Sequence, residues 1–324
     1  MRAIGYRKNG PPEVLTYEEL EKPAPTEKEV LIKVCAAAVN PLDYHLMKGG
    51  PAIIRLLFGP RKLKVPGVDA AGVVDAVGSS VTQFKAGDTV FGTCRGAFAE
   101  YAIAPETALA VKPESVAFED AAACPIAALT ALQGLRDKGK IQAGQNVLIN
   151  GASGGVGTFA VQLARLFGAH VTGVCSGRNA EMVRLLGADR VIDYAREDFA
   201  IGAERYDLIF DLAGNHSFSA CKPVLTPQGI HVGAGILAGP KSLLKMFAGL
   251  LIALGASRFS SRKFIIFVAK ANRKDLTLIG ELLATGRLKA VVDKTFALAD
   301  VPDAIRYQGT WHTHGKLVVK VATQ

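Results

Sequence analysis

Residues 145–179 read QNVLINGASGGVGTFAVQLARLFGAHVTGVCSGRN. A short apolar strand, Val147 to Ile149, runs into a glycine-rich turn. A helix follows with Phe159, Ala160, Leu163, Leu166 and Phe167 at helical spacing, and His170–Cys175 forms a second strand. This is a βαβ unit with its phosphate-binding turn where a dinucleotide needs it. Within the turn, Ser153, Gly154, Gly155 and Val156 are the expected pyrophosphate contacts. The two glycines let the backbone come close, and Gly157 lets helix and strand pack tightly. The helix N-terminus then presents its free N–H groups to the phosphates. The alternative is a tight turn in an ordinary α/β domain.

The end of the second strand bears on which dinucleotide. An acid about 20 residues past the glycines would bind the ribose 2′-hydroxyl of NAD. Here the chain reads Val174-Cys175-Ser176-Gly177-Arg178-Asn179, and no carboxylate comes before Glu181. Ser176 can donate to a 2′-phosphate, Arg178 can pair with it as a planar fork, and Tyr194 can close over it. NADPH is therefore the expected cofactor; the alternative leaves Arg178 a solvated residue at a helix start.

Outward from this unit, helices and strands alternate from about Phe118 to Val268, as a doubly wound parallel sheet requires. Its later strands are Arg190–Asp193, Tyr206–Asp211, Gly229–Val232 and Lys263–Val268. Leu212, Ala213 and Gly214 follow one of them, and Gly233 to Gly235 another. Carboxyl ends of such strands bind ligands, so these residues are expected along the nicotinamide ribose. The first part of the chain is β-rich instead, with strands at Val30–Val39, Val68–Val77 and Ala97–Ala104, and a turn followed by a strand within Phe84–Gly92. The tail holds a helix at Leu276–Thr285, a strand at Thr295–Leu298, a short helix after Asp300 and a last strand at Lys316–Val321. It is read as returning to the first part. The expected division is 1–122 with 270–324, and 123–269 as an inserted nucleotide-binding domain.

Composition excludes several classes. The chain has 324 residues and five scattered cysteines, none in CxxC spacing, which argues against a disulfide scaffold or structural zinc and for a reducing, cytoplasmic setting. The N-terminus shows neither a signal nor a transit peptide, and no stretch is apolar enough to span a bilayer. The formal charge of +9 is uneven: no acid lies between Asp211 and Asp275, an interval holding nine lysines and arginines. Around the apolar run Met246–Ala256, the segment 241–263 is a candidate for peripheral contact with anionic lipid. The alternative is a lid or interface helix with solvated lysines. Basic balance without interleaved aromatics gives no ground to expect nucleic acid.

Five segments carry a family resemblance along the whole chain: AAAVNPLDYHLMKG (36–49), VPGVDAAGVVDAVG (65–78), FKAGDTVFG (84–92), AALTALQGL (127–135) and GASGGVG (151–157). Together they resemble the medium-chain dehydrogenase/reductase superfamily, and within it the zinc-free quinone oxidoreductase and alkenal or enone reductase branch. The resemblance implies a GroES-like β-rich catalytic domain joined to a Rossmann domain, and a homodimer. Zinc members use a Cys, a His-Glu pair and a second Cys. Here those positions fall on Asn40, on Val68 and Asp69, and on Ile126, a poor donor set, so no metal is expected. Without a Lewis acid, alcohol oxidation becomes unlikely chemistry, and an electron-poor quinone or enone becomes the natural hydride acceptor.

The expected catalytic residues lie on one segment. Asn40 is expected to donate its amide to a carbonyl oxygen or to orient the nicotinamide. Asp43 is expected to orient a neighbour or hold the loop. Tyr44 or Lys48 is expected to supply a donor or proton to an enolate. Thr130 matches a family position facing the nicotinamide end, and Lys316 one where a phosphate or cofactor contact is expected. His312 and His314 read as loop histidines. The expected activity is NADPH-dependent, zinc-independent reduction of a quinone or of an enone C=C. The alternatives are carbonyl reduction of small aldehydes or ketones, or a non-catalytic NADPH-binding protein associated with RNA or membrane.

Overall fold

The computed structural model describes residues 1–49, 64–234 and 261–321. The chain divides into two compact units, Met1–Leu129 with Lys270–Gln324, and Thr130–Ala269. The first seam falls inside the helix Pro125–Gln133 rather than at 122/123, because this helix continues the chain without any loop at which composition could change.

In the first unit, β1 (Arg2–Gly5) and β2 (Thr16–Glu19) form a small antiparallel pair. The main sheet comprises β3 (Glu29–Val39), β4 (Asp69–Val77), β5 (Thr89–Thr93), β6 (Tyr101–Pro105) and β7 (Leu109–Val111). β3 is central and buried along most of its length, since its apolar run pairs with β4 and β6 and packs on both faces. The strand expected at Ala97–Ala104 begins only at Tyr101. Ala97, Phe98 and Ala99 are buried as core and meet β1 only through an isolated bridge from Ala99 to Ala3, so their apolar character reflects packing more than a ladder.

The second unit is a six-stranded parallel sheet. Its strands are β8 (Asn146–Asn150), β9 (His170–Cys175), β10 (Arg190–Asp193), β11 (Tyr206–Asp211), β12 (Leu225–Ala234) and β13 (Lys263–Phe267). They lie in the order β10-β9-β8-β11-β12-β13, which reverses direction between β8 and β11. That reversal opens a crevice at the carboxyl ends of β8 and β11, where doubly wound sheets bind ligands. The helix Gly155–Leu166 follows β8 and buries Phe159, Ala160 and Leu163.

The tail returns to the first unit: β14 (Val292–Ala297) pairs in parallel with β15 (Lys316–Lys320), and β15 pairs antiparallel with β3. The fold is therefore an α/β arrangement of a β-rich unit interrupted by a parallel-sheet unit. Gly235 and nearly all of 241–263 lie outside the described residues, and no described helix is long and apolar enough to cross a membrane.

Phe98 is fully buried in the first unit's core, and its carbonyl accepts from Ile4 N at 2.9 Å. Phe98→Ala should cost about 3–5 kcal/mol, read from denaturant unfolding of the purified protein.

Candidate active site

The register of the first unit's sheet brings three strand ends together. β3 pairs Ala38 with Asp69 of β4, and Val39 with Leu317 of β15. Asn40 just after β3, Asp69 opening β4 and Lys316 opening β15 are therefore neighbours, at 3%, 0% and 3% exposure.

Their side chains form one network. The Lys316 ammonium donates to Asn40 Oδ1 at 2.6 Å and to Val39 O at 3.1 Å, and Nζ lies 3.8 Å from Asp69 Oδ2. Asn40 Nδ2 donates to Asp69 Oδ2 at 3.0 Å and to Ala38 O at 3.4 Å. Asp69 Oδ1 accepts from Ile126 N at 3.1 Å. The amide can sit only one way round, because flipping it would turn its NH2 toward the ammonium and its oxygen toward the carboxylate. Asp43, buried in the first turn of α1 (Pro41–Lys48), accepts from Asn40 N at 2.8 Å and from Gly67 N at 3.2 Å.

Two expectations are corrected here. Asn40 does not hold out its amide hydrogens to a substrate carbonyl, since they go to Asp69 and Ala38. Lys316, for which a phosphate or cofactor contact was expected, is buried, and its ammonium is engaged with Asn40 and Val39 at the junction of β3 and α1. Asp43 holds this turn, as one of its expected roles requires. Burial pushes the Asp43 carboxyl up to about 7 and that of Asp69 up to about 6, against the pull of Lys316. Burial also holds the Lys316 ammonium below the ordinary lysine value, while Asp69 and Asp43 oppose that fall.

Tyr44 and Lys48 stand on α1 beyond this network. Lys48 is exposed, and its Nζ lies 4.6 Å from the centroid of the half-buried Tyr44 ring. Tyr44 also packs edge-on against Trp311, with ring centroids 6.1 Å apart.

In the second unit, the glycine turn leads from β8 into a helix, as its sequence suggests. Gly154 caps the helix Gly155–Leu166 with no side-chain acceptor, which leaves the first N–H groups for a ligand. A Cβ on Gly157 would come within 2.1 Å of Gly151 O, so only glycine allows this close approach. Ser153 Oγ accepts from Asn179 Nδ2 at 3.0 Å. At the crevice, Asp211 Oδ1 accepts from Ala213 N at 3.2 Å, Gly214 N at 2.9 Å and Asn150 Nδ2 at 2.8 Å. This fixes the Leu212–Gly214 turn. Burial works against Asp211's charge, yet His231, the Gly214 amide and Asn150 hold its carboxyl below the usual range. Ser176 is half-buried, Arg178 and Tyr194 are exposed near the ends of β9 and β10, Gly233 lies on β12 and Thr130 is half-buried on the helix Pro125–Gln133.

Asp69 was singled out only as a lost metal position, and Asp211, Asn150 and Asp193 were not singled out at all. Asp69 and Asp211 each carried a signal, an acid at the end of a strand whose other residues are apolar but for one further Asp. Asp193 closes β10 beside Cys175 of β9, and a Cβ on Gly177 would lie 2.6 Å from its Oδ2. This carboxylate comes from the neighbouring strand, where reading along β9 does not look.

Comparison with known proteins agrees with this architecture. The family model described as alcohol dehydrogenase GroES-like domain matches residues 26–114, and that described as zinc-binding dehydrogenase matches 186–319. The chloroplast envelope quinone oxidoreductase homolog of Arabidopsis thaliana is 35% identical over 94% of this chain and 93% of its own. The 2-methylene-furan-3-one reductase of Solanum lycopersicum is 33% identical over 98% of this chain and 79% of its own. The quinone oxidoreductase structure from Coxiella burnetii superposes with a TM-score of 0.87 at 30% identity, covering 99% of both chains. The chain belongs to the medium-chain dehydrogenase/reductase superfamily, in its zinc-free quinone oxidoreductase and enone reductase branch, and is an oxidoreductase.

The raised Asp69 carboxyl has a consequence for stability. A carboxyl that binds its proton more tightly when folded stabilises fully below its unfolded value of 3.8, and this is lost as pH rises through about 6. Asp69→Asn removes that loss. Its melting temperature should therefore gain on wild type between about pH 4 and 7, measured by differential scanning fluorimetry; parallel curves would contradict the assignment.

Proposed function

We propose that this protein is an NADPH-dependent reductase that works without zinc and delivers hydride to a quinone or to the β-carbon of an α,β-unsaturated carbonyl. The observation that carries the cofactor reading is the glycine-capped helix N-terminus at the carboxyl end of β8. NADPH, when bound, supplies the hydride. Ser153 to Val156 hold its pyrophosphate, the Leu212–Gly214 turn and Gly233 the nicotinamide ribose, and Ser176, Arg178 and Tyr194 the 2′-phosphate. Thr130 faces the nicotinamide end.

Independence from zinc is supported by the donor set. Asn40, Asp69 and Ile126 fall, by the family resemblance, where metal-dependent relatives bear zinc ligands, and they are engaged with Lys316 or with one another. An ammonium already bound there repels a second cation. Reduction without a Lewis acid needs an electron-poor acceptor and a hydrogen-bond donor for its oxygen. With Asn40 committed inward, that donor is Tyr44 or Lys48. The names of the Arabidopsis and Solanum relatives fit quinone and enone acceptors.

A second reading, NADH, rests on Asp193. Its carboxylate stands beside Gly177, where it can accept from a ribose hydroxyl and repel a 2′-phosphate. Kinetics of Arg178→Ala decide between them. NADPH reading predicts a KM rise for NADPH of about tenfold or more, the loss of a charge-assisted pair, with NADH changed little. Equal effects on both would exclude a 2′-phosphate contact. In the same assay, C4-deuterated NADPH should label the β-carbon of a vinyl ketone; label on the carbonyl carbon would show carbonyl reduction instead.

A further inference from the structure

Lys316 reaches two consecutive residues at the point where β3 hands over to α1. It donates to the Val39 carbonyl and to the Asn40 side chain. Its own backbone is fixed as well: Lys316 N donates to Val291 O at 2.8 Å. Gly315 before it has φ +82, and a Cβ there would lie 2.2 Å from Val291 O. The loop that leads to Lys316 also backs the other functional end of α1. A Cβ on Gly309 would come within 2.4 Å of Tyr44 Cε2, and Trp311, itself at φ +59, packs against the Tyr44 ring. One segment, Gly309–Lys316, thus holds α1 at its start through an ammonium and in its middle through Tyr44.

We propose that Lys316 is a positioning residue for the reduction, acting through Asn40. Its buried ammonium fixes which way round the Asn40 amide sits, and so sets the aim of α1 and of Tyr44 and Lys48. The chemistry of the contact explains the choice of residue. With a neutral side chain at 316, Asp69 takes up a proton and can donate to Asn40 Oδ1, so the amide is free to turn over and the junction loses its single arrangement. Lys316 is in this sense the cation of a site that binds no metal. The inference rests on the reductase reading for its kinetic consequence, but the lock on Asn40 is a property of the chain itself.

A double-mutant cycle on kcat tests it, using Lys316→Met, Asn40→Ala and the pair, with quinone and vinyl ketone as acceptors. If Lys316 acts through Asn40, each single variant should lower kcat by about tenfold or more, and the pair by no more than about twofold beyond the worse single. NADPH affinity, read by fluorescence, should stay within about twofold of wild type throughout. Additive losses, or a fall in melting temperature with kcat unchanged, would overturn the proposal, because a merely structural lysine behaves so.

NMR of wild type gives a readout that needs neither turnover nor the Lys316→Met fold. The Asn40 side-chain amide, assigned by its loss in Asn40→Ala, should exchange its protons far more slowly than that of exposed Asn9. Rates equal to those of Asn9 would overturn the lock. A wild type without turnover on either acceptor but with a protected Asn40 amide would sink the reductase reading and leave the lock standing.

Discussion

Two carboxylates and one ammonium share a space that water does not reach beneath the ends of β3, β4 and β15. Such a group is costly unless every polar atom finds a partner, and losing one partner strands the rest. Here each carboxylate oxygen has a partner: Asp43 takes two backbone amides, and Asp69 takes an amide nitrogen from Asn40 and another from Ile126. Asp69 thereby ties together β4, the β3–α1 junction and the helix Pro125–Gln133. Much else in the unit follows from keeping these groups in reach of one another. β3 must be long enough to pair β4, β6 and β15 at once, and the tail must return so that Lys316 can enter.

The second unit shows the opposite solution to the same problem. Its polar groups at the strand ends are arranged so that some backbone donors remain unspent. Asp211 gathers the amides of Ala213 and Gly214 and the side chain of Asn150, which makes the crevice turn rigid. The helix after the glycine turn, in contrast, carries no side-chain cap. A rigid rim beside an uncapped helix end suits a ligand with a phosphate at one end and a ring to be oriented at the other.

The parallel sheet was legible because its signals are local. β8 and β11 carry apolar runs and the glycine turn follows β8 directly, so neighbouring residues carry the information. β12, expected at Gly229–Val232, starts earlier at Leu225; its first residues, with Pro227 and Gln228, carry no such run and so gave no signal. The hairpin of β1 and β2, with its polar Thr16–Glu19, offered no such run. In the first unit, Asn40, Asp43 and Lys316, which the sequence singled out, all lie in the buried network, whereas Tyr44 and Lys48 stand outside it. The roles of the first three were not legible. Whether Asn40 faces a substrate or a buried lysine depends on Lys316, 276 positions away, and only the pairing of β15 with β3 brings the two together. Asp193 was obscured for a similar reason, since it comes beside Gly177 from the neighbouring strand.

The proposal that a resident ammonium rather than a metal organises the site bears on whether turnover needs a metal. Its most direct test is the rate of NADPH oxidation by protein dialysed against EDTA, with metal content measured on the same sample and a quinone and a vinyl ketone offered as acceptors. The account predicts turnover of one or both at metal levels far below one per chain, unchanged when zinc is added back. Activity that disappears with the metal and returns with zinc would contradict it.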